Sequence, residues 1–285
     1  MKPPAFEYLA ATSLAQAVAA LANDEAKIIA GGQSLVPMLN FRLLAPSLLV
    51  DITRIPGLDA IEEDGGGGLR IGALTRHHTL ETSAMVQARF PVLSAAMKHV
   101  AHLAVRNRGT IGGSLCHADP AAELPGLALL LNAQLKTTQR TVAAADFFEG
   151  ALSTALAGDE ILTEIQLPAL PPRTGWGFEE FARRSGDFAL TAVGATVSLS
   201  DGEVAEARIV VIGADDTPLR ASAAEVLLTD RSGIAAAAIA AQGQVSPNGD
   251  LHGSADYRRH LVGVLTRRAL TAAWRRASGT GGEAP

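Results

Sequence analysis

The sequence predicts an α+β chain, with a two-part α/β region first and then a small C-terminal domain of antiparallel sheet and helices. Three observations carry that reading. Early in the chain, short apolar runs lead into glycine turns and then into amphipathic helices, the recurrence that an α/β unit requires. A proline-rich stretch, Leu170-Pro171-Pro172-Arg173-Thr174-Gly175, interrupts that pattern and reads as a linker. Beyond it, alternating runs at Thr191–Leu199 and Val204–Ile212 flank Asp201-Gly202, a strong hairpin signal.

The elements follow in order. Ser13 begins a helix with Gln16 completing a capping box, and Leu14, Val18 and Leu21 form its apolar face. Lys27–Ala30 reads as a strand running into the first glycine turn. Ser34 is placed to cap a helix over Leu35–Leu43, where Pro37 falls in the first turn and is tolerated. Leu48–Ile52 reads as a buried strand. From Ile61 a hairpin is expected, with Gly65–Gly68 as its turn and Leu69–Gly72 as the return strand. No helix start follows those four glycines, so they read as a turn and not as a phosphate cradle. A helix is expected over Ala88–Val100, and Glu160–Pro168 alternates like an edge strand closed by proline. Past the linker and hairpin, helical patterns fall at Ser222–Leu228, Gly233–Gln242 and Asp256–Ala277. The tail from Ser278 to Pro285 reads as disordered.

Composition narrows the function. With 285 residues, 48% hydrophobic and 19% charged, the chain reads as soluble and globular, and long enough for two domains. A net charge of −5 leaves no basic footprint, which argues against nucleic acid as a partner. No apolar run is long enough for a membrane span, and Met1–Phe6 lacks the apolar stretch of a signal peptide, so a cytoplasmic address is expected. Cys116 is the sole cysteine; this chain alone can build neither an intrachain disulfide nor a cysteine-ligated cluster.

Two glycine turns carry the chemistry. Ala30-Gly31-Gly32-Gln33-Ser34-Leu35 and Thr110-Ile111-Gly112-Gly113-Ser114 each pair a Gly-Gly with a hydroxyl residue. Glycines let backbone N–H groups approach a ligand closely, and a row of such groups forms a concave anion site. Two such turns could hold a ligand with a pyrophosphate at its middle. The Gly-x-Gly-x-x-Gly fingerprint and the P-loop ending are both absent, which discounts a Rossmann NAD site and a P-loop ATP site.

The full strings resemble a known family. Ala30–Leu35 together with Arg106-Asn107-Arg108-Gly109-Thr110-Ile111-Gly112-Gly113-Ser114-Leu115 is similar to the FAD-binding medium subunit of the molybdenum hydroxylases, the xanthine dehydrogenase and carbon monoxide dehydrogenase family. Ala118-Asp119-Pro120-Ala121-Ala122-Glu123 and Arg183-Arg184-Ser185-Gly186-Asp187-Phe188-Ala189 continue the match, which covers nearly the whole chain. The resemblance implies an FAD-binding domain of the vanillyl-alcohol oxidase/PCMH type with two α/β subdomains over residues 1–174. It implies a C-terminal α+β domain of the carbon monoxide dehydrogenase flavoprotein type over 175–278, leaving 279–285 as the disordered tail.

It also implies roles. Ala30, Gly31, Gly32, Gln33, Ser34 and Leu35, with Thr110, Ile111, Gly112, Gly113 and Ser114, would hold the FAD phosphates and ribityl chain through backbone amides, with hydroxyl donors from Ser34 and Thr110. Glu123 occupies a position similar to a carboxylate that contacts the cofactor, where some relatives have Asp. Leu162 would lie near the adenine, and Phe188 would cover the flavin ring. No residue of this chain is expected to be catalytic toward the organic substrate or to bind metal. A large subunit would hold the molybdenum cofactor and a small one two 2Fe–2S clusters, in a heterotrimer or its dimer. Electrons would reach FAD from the clusters and leave to an external acceptor.

Other readings stand beside this one. A stand-alone FAD-dependent oxidase of the vanillyl-alcohol oxidase type would need its own substrate pocket and usually a longer chain; a non-catalytic nucleotide-sensing scaffold is the third possibility. Arg183 and Arg184 read either as a solvated basic pair or as docking residues. His117 and Asp119 have the spacing of a metal pair on a strand, but a third ligand is missing. His77 and His78 read as surface residues near a turn, and Cys116 as a small buried side chain.

Overall fold

Ser13 caps the first helix as its sequence position demands: its hydroxyl accepts from the Gln16 N–H at 3.2 Å, while Gln16 Oε1 reaches back to the Thr12 N–H at 2.9 Å. The capping box thus closes one residue earlier than its usual form. The structure, a computed structural model, describes residues 2–279. Helix α1 (Leu14–Ala20) packs on a parallel three-stranded sheet in the order β1 (Glu7–Ala10), β3 (Leu48–Asp51), β2 (Ala26–Ile29). Between β2 and β3 lies α2 (Leu35–Asn40), shorter than expected because Phe41 ends it and Arg42 turns left-handed at φ 59°. Ser34 makes no side-chain cap there, contrary to expectation; its backbone is already helical, which turns the hydroxyl away from the N–H groups it would have to meet. Val50, Ile52 and Ala17 form the core of this unit.

The second unit is an antiparallel five-stranded sheet in the order β4 (Ile61–Glu63), β5 (Leu69–Gly72), β10 (Leu162–Leu167), β6 (Gln134–Thr137), β7 (Thr141–Ala143). The β4–β5 hairpin turns through Gly65 and Gly67 at φ 81° and 90°, as the glycine run predicts. Strand β10 is central and not an edge. It pairs with both β5 and β6, and a bulge between Leu162 and Glu164 brings Leu162, Ile165 and Leu167 all into the core despite their uneven spacing. Pro168 follows the last ladder pair, where a missing N–H costs nothing. A ribbon of β8 (Phe148–Gly150) and β9 (Ser153–Thr154) closes this unit.

Helices fill the space between the sheets: α3 (His77–Thr82), α4 (Ala84–Arg89), α5 (Pro91–Met97), α6 (Leu103–Arg106), α7 (Ile111–His117) and α8 (Glu123–Leu130). The single helix expected over 88–100 is thus broken, because Pro91 has no N–H to continue α4 and instead opens α5. The second glycine turn proves to be helical: Thr110 caps α7, its Oγ1 accepting from the Gly113 N–H at 3.1 Å. Helix α8 is buried along its whole length, so it has no polar face to betray it in the sequence.

The last unit is a four-stranded antiparallel sheet in the order β11 (Thr174–Phe181), β12 (Thr191–Ser200), β13 (Glu203–Ile212), β14 (Leu219–Arg220). Asp201 and Gly202, at φ 53° and 90°, make the predicted turn. Helices α9 (Ser222–Glu225), α10 (Ile234–Gln244) and α11 (Ala255–Ala277) cover one face. Strand β11 carries no strand signal in the sequence, since Trp176, Gly177 and Glu179 break simple alternation. Its glycines serve α11: a Cβ on Gly177 would overlap the Ala269 carbonyl oxygen. The other face receives α8, so Phe178, Ala192, Val210 and Ile212 share a core with the middle unit. Of the expected disordered tail, Ser278 caps α11 and Gly279 follows it; the rest lies outside the described residues. No helix among the described residues is long and apolar enough to cross a membrane.

Candidate functional site

The two glycine turns meet. Gly31 lies so close to the second turn that a Cβ there would run into the Arg108 carbonyl oxygen and stand 2.8 Å from Gly109 Cα. Gly32 sits at φ 71°, a conformation that favours glycine. The second turn is strapped to the end of β5: the Ile111 N–H donates to Thr75 O at 3.0 Å, the Gly112 N–H to Ala73 O at 2.8 Å, and the His77 N–H to Gly109 O at 3.1 Å. Arg76 adds a guanidinium bond to the Arg108 carbonyl. A Cβ on Gly112 would come within 2.6 Å of Ala73 Cβ, so glycine is needed for that approach.

Between the turns lies a cavity of about 730 Å³. Ala30, Gly31, Gly32, Gln33, Ser34 and Leu35 line one side, and Thr110, Gly112, Gly113 and Ser114 the other. Glu123 from the first residue of α8, Leu162 from the first residue of β10 and Phe188 from the β11–β12 connection complete the predicted set. Ile111 is the exception: it is buried in the middle core and does not face the cavity. Phe188 stands at the rim, 62% exposed. Its segment is held against the middle unit where Gly186, at φ 85°, abuts the His102 ring. A larger hollow of about 840 Å³ beside α1, lined by Leu14, Arg70, Lys136 and Glu164 among others, contains none of the predicted residues.

The second turn differs from a free amide cradle. The N–H groups of Ile111, Gly112, Gly113 and Ser114 already donate to Thr75 O, Ala73 O, Thr110 Oγ1 and Thr110 O. What it presents to the cavity is bare glycine surface with the Thr110 and Ser114 side chains. The His117–Asp119 pair is not on a strand: His117 ends α7, and Asp119 opens a turn by accepting from the Ala121 N–H at 2.9 Å. Arg183 and Arg184 are both exposed, Arg183 contacting His252 Nδ1 at 2.9 Å.

His77 corrects the surface reading. It is 6% exposed, faces the cavity, and neither ring nitrogen has a hydrogen-bond partner. Burial pushes its pKa down to about 4, which the nearby Thr110 backbone eases without meeting hydrogen-bond geometry. Its place at the junction of a buried strand and a helix was the available signal. Burial likewise raises Glu123 to about 7, with the Asp119 charge adding to it, and raises the Cys116 thiol to about 12. Arg106, singled out by its sequence string, works structurally: it pairs with Glu81 at 2.9 Å and donates to the carbonyls of Val100 and Ala101, fixing Ala101 at φ 42° on the cavity wall.

A cavity of this volume with glycine surface in its walls, a hydroxyl at each turn and an unpartnered imidazole fits a dinucleotide-sized ligand such as FAD. Comparison with known proteins agrees. Residues 4–170 match the family described as FAD binding domain in molybdopterin dehydrogenase, and residues 176–273 match the CO dehydrogenase flavoprotein C-terminal domain. The chain is 43% identical to the 6-hydroxypseudooxynicotine dehydrogenase complex subunit alpha of Paenarthrobacter nicotinovorans, covering 98% of each chain. It is 39% identical to the carbon monoxide dehydrogenase medium chain of Hydrogenophaga pseudoflava, covering 98% of this chain and 100% of that one. A solved structure of carbon monoxide dehydrogenase from the same organism superposes with a TM-score of 0.94 at 41% identity, covering 97% of this chain and 99% of the other. On the glycine turns, the two matched domains and these relatives, the chain belongs to the FAD-binding medium subunits of the molybdenum hydroxylases, the carbon monoxide dehydrogenase and xanthine dehydrogenase family.

Proposed function

We propose that this chain carries FAD in the cavity between its glycine turns and serves as the electron-transfer subunit of a cytoplasmic molybdenum hydroxylase. Its partners would be a large subunit with the molybdenum cofactor and a small subunit with two 2Fe–2S clusters, assembled as a heterotrimer or its dimer. The observation that carries this reading is the meeting of Gly31-Gly32 with Gly109 and Gly112-Gly113 around one cavity, where these glycines leave parts of the lining free of side chains. The names of the relatives, a medium chain and a subunit of a dehydrogenase complex, support the division of labour. The single cysteine supports it too, since the clusters need thiolates that this chain lacks.

When bound, FAD would accept electrons one at a time from clusters and release them in pairs to an external acceptor. The chain's own residues bind and orient. The Ala30–Leu35 turn, with the Ser34 hydroxyl uncommitted to a cap, would hold the phosphates together with Thr110, Gly112, Gly113 and Ser114. Ile111 would support that turn from the core, where it is 3% exposed. Leu162 would pack near the adenine, Glu123 would meet a polar edge of the cofactor, and Phe188 would cover the ring from the rim. The division into an FAD-binding domain over 1–174 and a C-terminal domain over 175–278 is supported by the matches that end at 170 and resume at 176. The stand-alone oxidase is not favoured, because the relatives are subunits of complexes.

Co-expression with the neighbouring genes and purification through a tag on this chain tests the proposal. The absorption spectrum should show flavin and iron–sulfur bands that one candidate substrate bleaches together. A chain that purifies alone and colourless, even after incubation with FAD, would contradict it; so would flavin reduction by substrate in the isolated chain.

A further inference from the structure

Two large apolar side chains on the cavity wall stand largely in water. Leu152, at the tip of the β8–β9 ribbon, is 52% exposed, and Phe188, in the β11–β12 connection, is 62% exposed; both line the cavity. One short segment ties them together. The Leu152 N–H donates to Ala118 O at 3.0 Å, and two residues on, Pro120 O accepts from the Gly213 N–H at 3.0 Å. Gly213 lies against the backbone just after Phe188, where a Cβ on it would stand 3.3 Å from Ala189 O and 3.1 Å from Leu190 O. The Ala118-Asp119-Pro120 segment thus brings both side chains, one from the ribbon and one from the C-terminal sheet, to the same end of the cavity.

That end differs from the one assigned to phosphate. Helix α7 runs from the Thr110 cap to Ala118, and its seven residues rise roughly 10 Å. A ligand with its phosphates at Thr110–Ser114 therefore presents a different part of itself at Ala118. Two exposed apolar side chains there match a ring system and not an anion.

Leu152 carries a second, independent signal. Gly150 and Ser153 pair across the ribbon, which leaves Ala151 and Leu152 as a two-residue turn. Leu152 sits at φ 58°, in the left-handed region, where such a turn ordinarily places Gly or Asn. A bulky residue in that conformation is an outlier that costs strain, and strain of this kind collects at ligand clamps. Glycine would make the same turn freely. What leucine adds is an apolar side chain on the cavity wall.

We infer that Leu152 joins Phe188 in covering the isoalloxazine ring of FAD, so that the ribbon tip and the β11–β12 connection close on the ring together. This rests on the reading of the cavity as the FAD site. Packing the ring on both side chains removes apolar surface of chain and cofactor from water, which stabilises the bound state in proportion to the area covered. The glycine turns hold the phosphates, and the Leu152–Phe188 pair fixes the ring.

The test separates ring from phosphate. FAD and ADP, which lacks the isoalloxazine, are titrated into the complex co-purified through this chain and stripped of its flavin. Leu152→Gly should weaken FAD by about tenfold or more, as the loss of a buried apolar side chain does, and leave ADP affinity unchanged. Phe188→Ala should do the same, while Leu152→Met, which keeps the apolar volume, should bind FAD like the wild type. In the isolated flavin-free chain, Leu152→Gly should not lower the denaturation midpoint, because glycine relieves the turn. Wild-type FAD affinity in Leu152→Gly, an equal loss of FAD and ADP, or a lowered midpoint would overturn the role of Leu152. A wild-type complex that binds neither FAD nor ADP would instead overturn the reading of the cavity, and the ring cover with it.

Discussion

His77 shows how much a single side chain discloses. A neutral imidazole buried against Gly109 beside the Thr110 backbone cannot become charged without loss, so the folded chain resists its protonation. Its folded pKa of about 4 lies below the unfolded value of about 6.5, so the unfolded chain binds more protons between these limits. Stability should therefore rise with pH across that window, by roughly 3 kcal/mol for this residue alone. Replacing His77 with Leu should flatten the pH dependence of chemical denaturation between pH 4 and 6.5. An equal dependence in wild type and His77→Leu would show that the ring is not buried neutral. The sequence could not separate His77 from His78, because adjacent residues at a helix start look alike until the tertiary structure decides which one faces inward.

At the scale of elements, close approach of backbones governs the architecture. Helix α11 lies directly on β11 because Gly175 and Gly177 present no side chain; a Cβ at either would overlap the carbonyl oxygen of Ala273 or Ala269. Gly177→Ala should thus destabilise the chain by about 1–3 kcal/mol, as overpacking against an immobile backbone does, and denaturation midpoints would report it. A shift within error would mean that α11 adjusts freely. Elements with regular amphipathic signals were legible in the sequence: α1 with its Ser13 cap, the β4–β5 hairpin through its glycines, and the β12–β13 hairpin at Asp201-Gly202. Two elements without a signal and one misplaced in its sheet have physical causes. Helix α8 is buried on all sides and has no polar face; β11 trades alternation for glycines that serve a neighbour; β10 joins the middle of its sheet through a bulge that disturbs its period. The second glycine turn carries no helix signal in the sequence because Gly-Gly is a poor helix former, yet the Thr110 cap and the bonds to Ala73 and Thr75 hold it helical.

Across the whole molecule, the parallel-sheet unit, the antiparallel middle unit and the C-terminal sheet each contribute one wall of a single cavity: the Ala30–Leu35 turn, the Thr110–Ser114 turn with Glu123 and Leu162, and Phe188. The candidate site was more legible than the fold, because glycine and hydroxyl spacing is local whereas helix burial and strand order depend on distant partners. Ile111 and His77 were the exceptions, since their roles depend on which face of a short helix meets the core. The central claim is that the cavity between the glycine turns holds FAD in the assembled enzyme. The most direct measurement is the FAD content per complex for wild type, Gly32→Val and Gly112→Val, read beside molybdenum and iron. The account predicts about one FAD per wild-type chain and loss of FAD in both variants, with the metals of the partner subunits retained. Normal flavin content in either variant would contradict it.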